Sequence, residues 1–261
     1  MCTKIPKLIH YCWFGGNPLP YSAQKCIESW RKYCPDYEIK EWNEKNFDLD
    51  CCIYVREAYE ANKWAFVSDV ARLYALVTEG GIYMDTDVEV IRPLDDLLSY
   101  EAVSGFESET QIPTGLMASV PNQPLFMELL KDYDTVHFKR PDGTYNLETN
   151  VTKITRICLK YGLKQNNTLQ TVHGFTLLPK DYLCPKDHET KEVMITENTL
   201  TIHHFDGSWH SDEDKYFEEM KKKLPFFLKN QLGSYFCKFV SLAKYHGFLA
   251  AIKRIVGWMC H

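Results

Sequence analysis

The sequence predicts an α/β fold in which helices alternate with the strands of a largely parallel sheet. Residues 8–42 follow a strand-loop-helix-strand pattern, and residues 65–84 follow a helix-strand pattern. Hydrophobic residues make up 45% of the chain and charged residues 25%, as in an ordinary globular protein. A chain of 261 residues can bury one sizeable core. We therefore expect one domain over residues 1–219, followed by a basic helical tail over residues 220–261.

The first three elements are predicted from β-forming residue types and from the spacing of apolar residues. Residues 8–14 are rich in apolar and aromatic side chains and run into a Gly-Gly-Asn-Pro loop, which is typical of a strand feeding a turn. Apolar residues at helical spacing over 21–33 predict a helix, which the Pro35-Asp36 dipeptide ends. Residues 37–42 alternate as a second strand. In sheets of this kind, ligands bind beyond the carboxyl ends of the strands.

The next helix carries a charged pair. Residues 65–79 have an apolar stripe, and Asp69 and Arg72 project from the same side because they are three residues apart. An isolated pair of this kind is more often a solvated ion pair, worth a few tenths of a kcal/mol. Its position just ahead of the strand over residues 82–84 favours a ligand-binding role instead. An arginine fork and a carboxylate suit sugar hydroxyls and phosphate oxygens.

Asp85 and Asp87 follow that strand and are the most informative residues of the chain. Three other Asp-x-Asp pairs occur, at 48/50, 132/134 and 212/214, all in polar sequence. Only the pair at 85 and 87 lies between apolar segments, where the desolvation cost of two carboxylates would be relieved by a bound cation. Hard oxygen ligands indicate Mg²⁺ or Mn²⁺, and an added imidazole favours Mn²⁺. Such an ion on an acidic domain would bind a nucleotide diphosphate.

Several later segments complete the α/β pattern. We predict strands over residues 102–106, 115–119 and 200–205, and helices over residues 125–133 and 149–161. The last strand contains His203 and His204, of which only one can point into a given cleft. A packed structural role is the common one for a lone histidine. Two adjacent histidines ahead of a Ser-Trp turn favour a ligand role for one of them.

The tail differs in charge from the rest of the chain. From Met220 to His261 there is no acidic residue, whereas lysine and arginine supply eight positive charges. Apolar residues recur there at helical spacing, which is typical of a basic amphipathic helix pair lying on an anionic membrane surface. The alternative is a helix pair that caps the core with its lysines in solvent. We expect no nucleic-acid partner.

The cysteines and the N-terminus bear on cofactor and location. The ten cysteines have no ligand-like spacing, so a zinc site is not expected. Neither a signal peptide nor a run of about 18 apolar residues is present. We therefore expect a cytoplasmic protein with free thiols, peripheral at the inner face of a membrane.

Four sequence blocks, in order, resemble the family 32 glycosyltransferases. The blocks cover residues 5–16, 63–72, 80–87 and 203–209. This family comprises capsule and polysaccharide enzymes related to the fungal initiating mannosyltransferase and, more distantly, to the glucosylating toxins of clostridia. The resemblance implies a GT-A-type, Rossmann-like domain that transfers a hexose, with retention of configuration, to a polysaccharide or lipid-linked glycan. It also implies Mn²⁺ or Mg²⁺ and a nucleotide-sugar donor, with a UDP-sugar favoured over a GDP-sugar.

The resemblance further implies a role for individual residues. The donor-binding residues would be Trp13 at the base, Asp69 and Arg72 at the sugar, Tyr83 and Asp85 at the ribose, and Ser208 and Trp209 at the diphosphate. The metal ligands would be Asp85, Asp87 and His204, with His203 less favoured. The residues assigned to catalysis would be Asp69, Arg72, Asp85, Asp87 and Asn150. No catalytic base is named, because retaining enzymes of this fold are thought to let the leaving diphosphate assist the acceptor.

Two other functions compete with this interpretation. An Asp-x-Asp after an apolar strand also opens the haloacid-dehalogenase-like phosphatases, in which the first aspartate accepts a phosphoryl group. Their motif lies near the start of the domain, whereas about 84 residues precede Asp85. The second alternative is a catalytically inactive nucleotide-sugar-binding protein, although every expected donor-site residue type is present.

Overall fold

The computed structural model describes residues 5–187, 190–207, 212–225, 231–249 and 251–252. The chain forms two units, one ending at Asp206 and the other beginning at Gly207. The described strands are β1 Leu8–Cys12, β2 Glu38–Trp42, β3 Gly81–Met84, β4 Val88–Val90, β5 Ala102–Gly105, β6 Leu116–Ser119, β7 Gln170–Val172, β8 Phe175–Leu178 and β9 Thr201–His203. The described α-helices are α1 Tyr21–Tyr33, α2 Ile53–Glu60, α3 Trp64–Thr78, α4 Pro124–Lys131, α5 Asn150–Lys160, α6 Lys180–Leu183, α7 Asp212–Lys223 and α8 Gln231–His246.

The predicted α/β class is confirmed, but the main sheet is mixed rather than largely parallel. Its seven strands lie in the order β2-β1-β3-β6-β5-β8-β7. Strand β1 is parallel to both β2 and β3, whereas β6 is antiparallel to β3 and to β5. The reason is the connection: only the loop over residues 106–115 joins β5 to β6, and a parallel return would need a longer crossover, usually a helix.

The strand directions bring several loops to one edge of the sheet. Strands β1, β3, β5 and β8 all end at this edge, and β6 begins there. Trp13 follows β1, Asp85 follows β3, and Glu107 lies just beyond β5. Thr114 and Gly115 precede β6 at the same edge. The carboxyl edge predicted to bind ligands therefore collects polar residues from four separate segments.

Directly after the Asp-x-Asp segment, the chain enters a second sheet of two strands. Strands β4 and β9 pair antiparallel, with Val88 opposite His203 and Val90 opposite Thr201. The pairing continues beyond the strands, since the His204 N–H donates to the Asp87 carbonyl oxygen at 2.9 Å. This register places the late histidine strand directly beside the Asp-x-Asp segment.

Helix α3 lies buried between the sheet and its neighbouring helices. It packs against β1 and β3 and against α2 and α4. Its burial includes the charged pair, because Asp69 is 8% exposed and Arg72 is 6% exposed. The solvated ion pair considered for these residues is therefore excluded.

The turn after α3 is locked by a buried histidine. Gly80 and Gly81 have φ angles of +67° and +101°, which glycine adopts without the strain that a Cβ would bring. His10 Nε2 bonds to the Gly80 carbonyl oxygen at 2.7 Å, and the Trp42 indole N–H donates to His10 Nδ1 at 3.0 Å. Burial lowers the pKa of His10, consistent with a neutral ring. This turn aims β3, and hence Asp85, at the carboxyl edge.

The second unit contains α7 and α8, which pack against each other. The Nζ of Lys244 lies 3.6 Å from the ring centroid of Tyr216, so a cation-π contact contributes to this packing. Helix α8 lies within the predicted tail helix pair, whereas most of residues 247–261 lie outside the described residues. Within the part of the chain that the structure describes, no helix combines the length and apolar character needed to cross a bilayer.

Candidate active site

The Asp-x-Asp segment links β3 to β4 in a tight turn. The Asp85 N–H donates to the Gly115 carbonyl oxygen at 2.7 Å, and the Val88 N–H donates to the Asp85 carbonyl oxygen at 3.0 Å. The apolar side chains of β3 are buried on both faces of the sheet. The backbone under the two carboxylates is therefore fixed by hydrogen bonds on one side and by apolar packing on the other.

The Asp85 carboxylate is held from two directions. The Tyr83 hydroxyl donates to Asp85 Oδ1 at 2.8 Å, and a terminal nitrogen of Arg72 lies 3.3 Å from the same oxygen. Tyr83 was expected to line the ribose. Its side chain is instead fully buried, and its ring lies 4.6 Å below the Arg72 guanidinium. Tyr83 therefore supports Asp85 and Arg72 from beneath.

Arg72 is the central cation of the site. Its Nη1 donates to the carbonyl and hydroxyl oxygens of Thr114 at 2.8 and 3.0 Å, and its Nε donates to the Ser68 carbonyl oxygen. Its Nη2 faces Asp69 at 3.5 Å and Asp85 at 3.3 Å. Burial alone would lower the pKa of Arg72, but the two carboxylates and Tyr83 raise it. Nε and Nη1 of Arg72 donate to oxygens of Ser68 and Thr114 while Nη2 faces the two carboxylates, so Arg72 positions these carboxylates. Its role in holding the donor sugar stays a prediction.

Asp69 shares this arginine but is the less satisfied carboxylate. Burial raises its pKa to about 6, and the positive charge of Arg72 offsets only part of that rise. A buried acceptor with an unmet preference for hydrogen-bond donors is suited to a sugar hydroxyl.

We expect Asp69→Asn to stabilise the protein at pH 8. The folded-state pKa of Asp69, about 6, lies above its ordinary value. Its contribution therefore favours folding fully below the unfolded pKa and is lost as the pH rises through 6. The neutral asparagine avoids that loss, by roughly 2 to 3 kcal/mol. Urea unfolding at pH 5 and pH 8 measures the free energy of unfolding of the variant and of the wild type, and the increase in the variant should be larger at pH 8. The exposed Asp36→Asn serves as control, and equal effects of the two variants would contradict the assignment.

Asp87 pairs with His203 on the far side of the turn. His203 Nε2 lies 3.2 Å from Asp87 Oδ1, and the Asp206 N–H donates to Asp87 Oδ2 at 2.9 Å. Burial lowers the pKa of His203, but hydrogen bonds to Asp87 and Cys184 and the negative charge of the aspartates raise it to about 10. Burial raises the pKa of Asp87, and His203 lowers it below its ordinary value. The pair therefore forms an ion pair in the metal-free protein.

The preference for His204 over His203 as metal ligand is corrected by this geometry. His204 Nε2 lies 2.9 Å from Glu89 Oε2 and is engaged there, whereas His203 Nε2 faces Asp87. The alternation of a strand puts only one of two neighbours on each face. The side-chain contact of His203 with Asp87, 3.2 Å from Nε2 to Oδ1, selects His203 as the ligand.

Asp85, Asp87 and His203 fit a divalent cation. Each offers one ligand atom, and these atoms all lie within 4.8 Å of one another, the one such group among the described residues. Two carboxylates and an imidazole suit Mg²⁺ or, better, Mn²⁺. Gly115 makes the approach possible, because a Cβ there would lie 2.8 Å from His203 Cε1 and 3.2 Å from Asp85 Oδ2.

We expect Gly115→Ala to weaken Mn²⁺ binding by at least about tenfold, since moving supporting groups of a metal site costs 10- to 100-fold in affinity. The added methyl group would push His203 and Asp85 out of position. Gly105→Ala is the matched control, because a Cβ there would meet only Leu178 and Leu183. Calorimetric Mn²⁺ titration of both variants checks this. A Gly115→Ala variant that binds Mn²⁺ like the control would contradict it.

The other predicted site residues are placed differently. Trp13 is half-buried at the end of β1, and its indole N–H donates to the Asn17 carbonyl oxygen at 2.6 Å. The amide oxygen of Asn150 accepts from the Tyr133 hydroxyl, and its NH₂ donates to the Asp69 carbonyl oxygen, both at 2.7 Å. Asn150 is fully buried, and through the Asp69 carbonyl oxygen it positions the turn of α3 that carries Asp69. Ser208 and Trp209 lie outside the described residues.

Three residues of the site belong to no sequence motif and could not be identified from the spacing of residues along the chain. Thr114 and Gly115 belong to the loop before β6, and Glu107 is half-buried just beyond β5. Burial raises the pKa of Glu107, His203 lowers it and Asp85 raises it, so this carboxyl lies within electrostatic reach of the metal-ligand group. Their position at strand ends was the one available signal.

Comparison with known proteins agrees with this geometry. The profile of the family described as "Glycosyltransferase sugar-binding region containing DXD motif" matches residues 20–104. That stretch contains Asp69, Arg72, Asp85 and Asp87. Residues 20–104 of this chain are thus similar to the DXD glycosyltransferases. The predicted resemblance is thereby confirmed.

Individual relatives of this chain were also found. Mannosyl phosphorylinositol ceramide synthase CSH1 of Saccharomyces cerevisiae is 26% identical over 236 residues, which cover 84% of this chain and 57% of the relative. Inositol phosphoceramide mannosyltransferase 3 of Schizosaccharomyces pombe is 31% identical over 140 residues, covering 50% and 37%. The chain thus spans about half the length of the curated relatives it matches. Among solved structures, galactosyltransferase LgtC with donor and acceptor sugar analogues is 12% identical, with a TM-score of 0.39 over 78% of this chain and 90% of LgtC.

Proposed function

We propose that this protein is a metal-dependent, retaining glycosyltransferase that moves a hexose from a nucleotide sugar to a glycan or lipid-linked acceptor. One observation carries the proposal: the arginine-held carboxylates Asp69 and Asp85 lie beside the ligand group of Asp85, Asp87 and His203. A sugar-binding acceptor and a diphosphate-binding cation site are the two parts such a transfer needs. The GT-A assignment is part of this proposal.

The residues of the site have different roles in binding the cation and the donor sugar. Asp85, Asp87 and His203 would hold the cation, which when bound supplies Lewis-acid neutralisation of the departing diphosphate. Asp69 accepts a hydrogen bond from a donor-sugar hydroxyl. Arg72 orients both neighbouring carboxylates, so that no reorganisation is needed when the donor arrives.

Donor and acceptor are proposed from two sources. The resemblance favours a UDP-sugar over a GDP-sugar. The names of the two yeast relatives describe mannosyl transfer and an inositol phosphoceramide. We therefore propose to test a mannosyl donor and an inositol-phosphate lipid acceptor together with UDP-sugars and glycan acceptors.

A thermal-shift screen followed by a turnover assay tests this function. UDP, GDP and their sugars should stabilise the protein only with Mn²⁺ present, by about 2.7 kcal/mol at 100 times the dissociation constant. The stabilising donor should then release its nucleoside diphosphate when an acceptor is added. Tight donor binding without turnover would favour the inactive binding protein, and a trapped phosphoryl group on Asp85 would favour the phosphatase. No response to any nucleotide would refute the proposal.

We also propose that the basic tail binds an anionic membrane at the cytoplasmic face. On α8, Tyr235 and Phe236 are exposed, and Phe248 and Leu249 beyond its end are exposed as well. The tail has no acidic residue to oppose its lysines, so anionic lipid headgroups complement it.

We expect Phe236→Glu to reduce binding to phosphatidylserine vesicles by several-fold, since each buried aromatic contributes apolar area and the new carboxylate repels the surface. Vesicle flotation measures this, with phosphatidylcholine vesicles for comparison. Met194→Glu changes an equally apolar, exposed side chain of the first unit and serves as the control. Equal binding of both variants would contradict the membrane role of α8.

A further inference from the structure

The described cysteines differ sharply in their access to solvent. Six of them are buried, namely Cys12, Cys26, Cys34, Cys158, Cys184 and Cys237. Cys51 is exposed and its neighbour Cys52 is half-buried. Within the described ranges, a dissolved oxidant therefore meets one pair of adjacent thiols before it meets any other cysteine.

The pair lies at the start of α2. The Cys51 N–H donates to the Asp48 carbonyl oxygen at 3.3 Å, which closes a turn, and Cys52 immediately precedes the helix. The two thiols belong to consecutive residues, and each shifts the pKa of the other. Cys52 is the N-cap residue of this helix, and the backbone N–H groups of the first turn, including those of Tyr54 and Val55, carry partial positive charge. A sulfur at this position is stabilised in its anionic form.

The acidity of the thiols follows this arrangement. The Cys51 thiol lowers the pKa of Cys52 to about 7, with burial opposing and the two backbone N–H groups adding to the shift. Cys51 shows the opposite shift, because it donates to its neighbour. Burial raises the pKa of Cys12 and Cys158 to about 12. The position of Cys52 at the N-terminus of α2 favours its nucleophilic thiolate in the same direction, and Cys51 is the neighbour that can resolve an oxidised form.

We propose that Cys51 and Cys52 form a peroxide-sensitive dithiol, which hydroperoxides convert into a disulfide between the two adjacent residues. The Cys52 thiolate attacks one peroxide oxygen, the O–O bond breaks, and the leaving hydroxide takes a proton to become water. Cys52 is then a sulfenic acid. The Cys51 sulfur attacks the Cys52 sulfur, the S–S bond forms as the S–O bond breaks, and a second water leaves. Two thiols lose two electrons and two protons, and one hydrogen peroxide becomes two waters.

The product is strained and therefore reversible. Consecutive Cα atoms are about 3.8 Å apart, whereas disulfides prefer about 4.4 to 6.8 Å. The short span distorts the peptide between Cys51 and Cys52, and the strain makes the bond easier to reduce. The distorted peptide leads directly into α2.

A chain of contacts joins α2 to the candidate active site. The Tyr54 ring on α2 packs edge-on against the Tyr133 ring at 4.8 Å, and the Tyr133 hydroxyl donates to Asn150. Asn150 in turn holds the Asp69 carbonyl oxygen at 2.7 Å. Oxidation at the start of α2 should therefore loosen the support of Asp69 and weaken donor binding. This second part rests on the proposed function, whereas the oxidation itself does not.

Mass spectrometry of the full chain tests the oxidation. After brief treatment with a small excess of hydrogen peroxide, the peptide containing Cys51 and Cys52 should have lost two hydrogen atoms, and dithiothreitol should restore them. Cys52→Ser should slow this oxidation by at least about tenfold, since the reactive thiolate is gone. Cys51→Ser should leave a sulfenic acid that dimedone traps. Cys158→Ala, at a buried thiol, is the control and should oxidise like wild type.

Two results would overturn the dithiol assignment. One is oxidation of buried cysteines before Cys51 and Cys52, and the other is a Cys52→Ser variant that reacts as fast as wild type. Both are independent of any glycosyltransferase activity.

The coupling is tested on the oxidised protein. Hydrogen exchange should rise in α2 and α5, and donor-induced stabilisation with Mn²⁺ should fall relative to the reduced protein, with no change in the Cys51→Ser/Cys52→Ser double variant. A disulfide that forms without either effect would overturn the coupling. If the reduced protein binds no nucleotide, the proposed function fails while the mass and exchange results still decide the dithiol.

Discussion

Replacing Asp87 by asparagine should abolish Mn²⁺-dependent donor binding and lower turnover by about a thousandfold, because a metal ion supplies several kcal/mol to such a transition state. The amide is nearly the size of the carboxylate, and its oxygen can still accept from the Asp206 N–H, so the turn stays folded. What disappears is the negative charge shared by the cation site and His203. The loss should therefore appear in metal binding and chemistry rather than in folding.

Asp48→Asn is the matched control for this variant. Asp48 belongs to another Asp-x-Asp pair, but it is exposed and caps a local turn through the Asp50 N–H. Thermal shift with and without Mn²⁺, together with release of nucleoside diphosphate, separates the two variants. An Asp87→Asn protein that still gains stability from donor plus Mn²⁺ would remove the cation site from the proposed function.

Arg72→Lys should cost both stability and activity, although it keeps the positive charge. Lysine offers three donors on a point charge and has no planar fork, so it cannot serve Thr114, Asp69 and Asp85 together. Leaving buried carboxylates without their partner costs about 3 to 5 kcal/mol in the limiting case, and we expect roughly 2 to 4 for lysine. Donor turnover should fall by about a hundredfold or more, because misplaced groups at a reacting centre cost that much.

Arg56→Lys provides the comparison, because Arg56 pairs with Asp50 at 2.6 Å on the surface. An exposed pair of this kind contributes about 0 to 1 kcal/mol, so the control should unfold like wild type in urea. If Arg72→Lys and Arg56→Lys both lowered the free energy of unfolding by the same small amount, the guanidinium of Arg72 would not be needed to stabilise the buried carboxylates. A stability loss without any change in Mn²⁺ affinity would separate Arg72 from the metal-ligand group.

Several elements could be predicted from sequence because their signals are local. Helix α3 was predicted over 65–79 and lies at Trp64–Thr78, since its apolar stripe spans four turns. The short α2 was missed, because its eight residues follow a polar turn without an N-cap signal. The β7–β8 hairpin was missed for a related reason. Its turn places His173 at φ +50° ahead of Gly174, where Asn-Gly is the usual signal.

The candidate site was predictable in part for the same reason. The aspartates at 85 and 87, and the helix side shared by Asp69 and Arg72, follow from short-range spacing. Their mutual distance, burial and choice of partner do not. Thr114 and Gly115 approach Arg72 and His203 only because the loop before β6 returns to the same edge of the sheet.

Local spacing was thus enough to place two carboxylates at the end of an apolar strand, and to predict the α/β class and the resemblance to DXD glycosyltransferases, because these features are encoded within a few residues. Tertiary packing alone decided that Asp69 and Arg72 are buried and that His203, not His204, joins the aspartates. The pairing of β4 with β9 brings both histidines to this segment, and the side-chain contact of His203 with Asp87 sets the second outcome. Such long-range pairings depend on how distant segments share a core, and no short window of sequence contains that information.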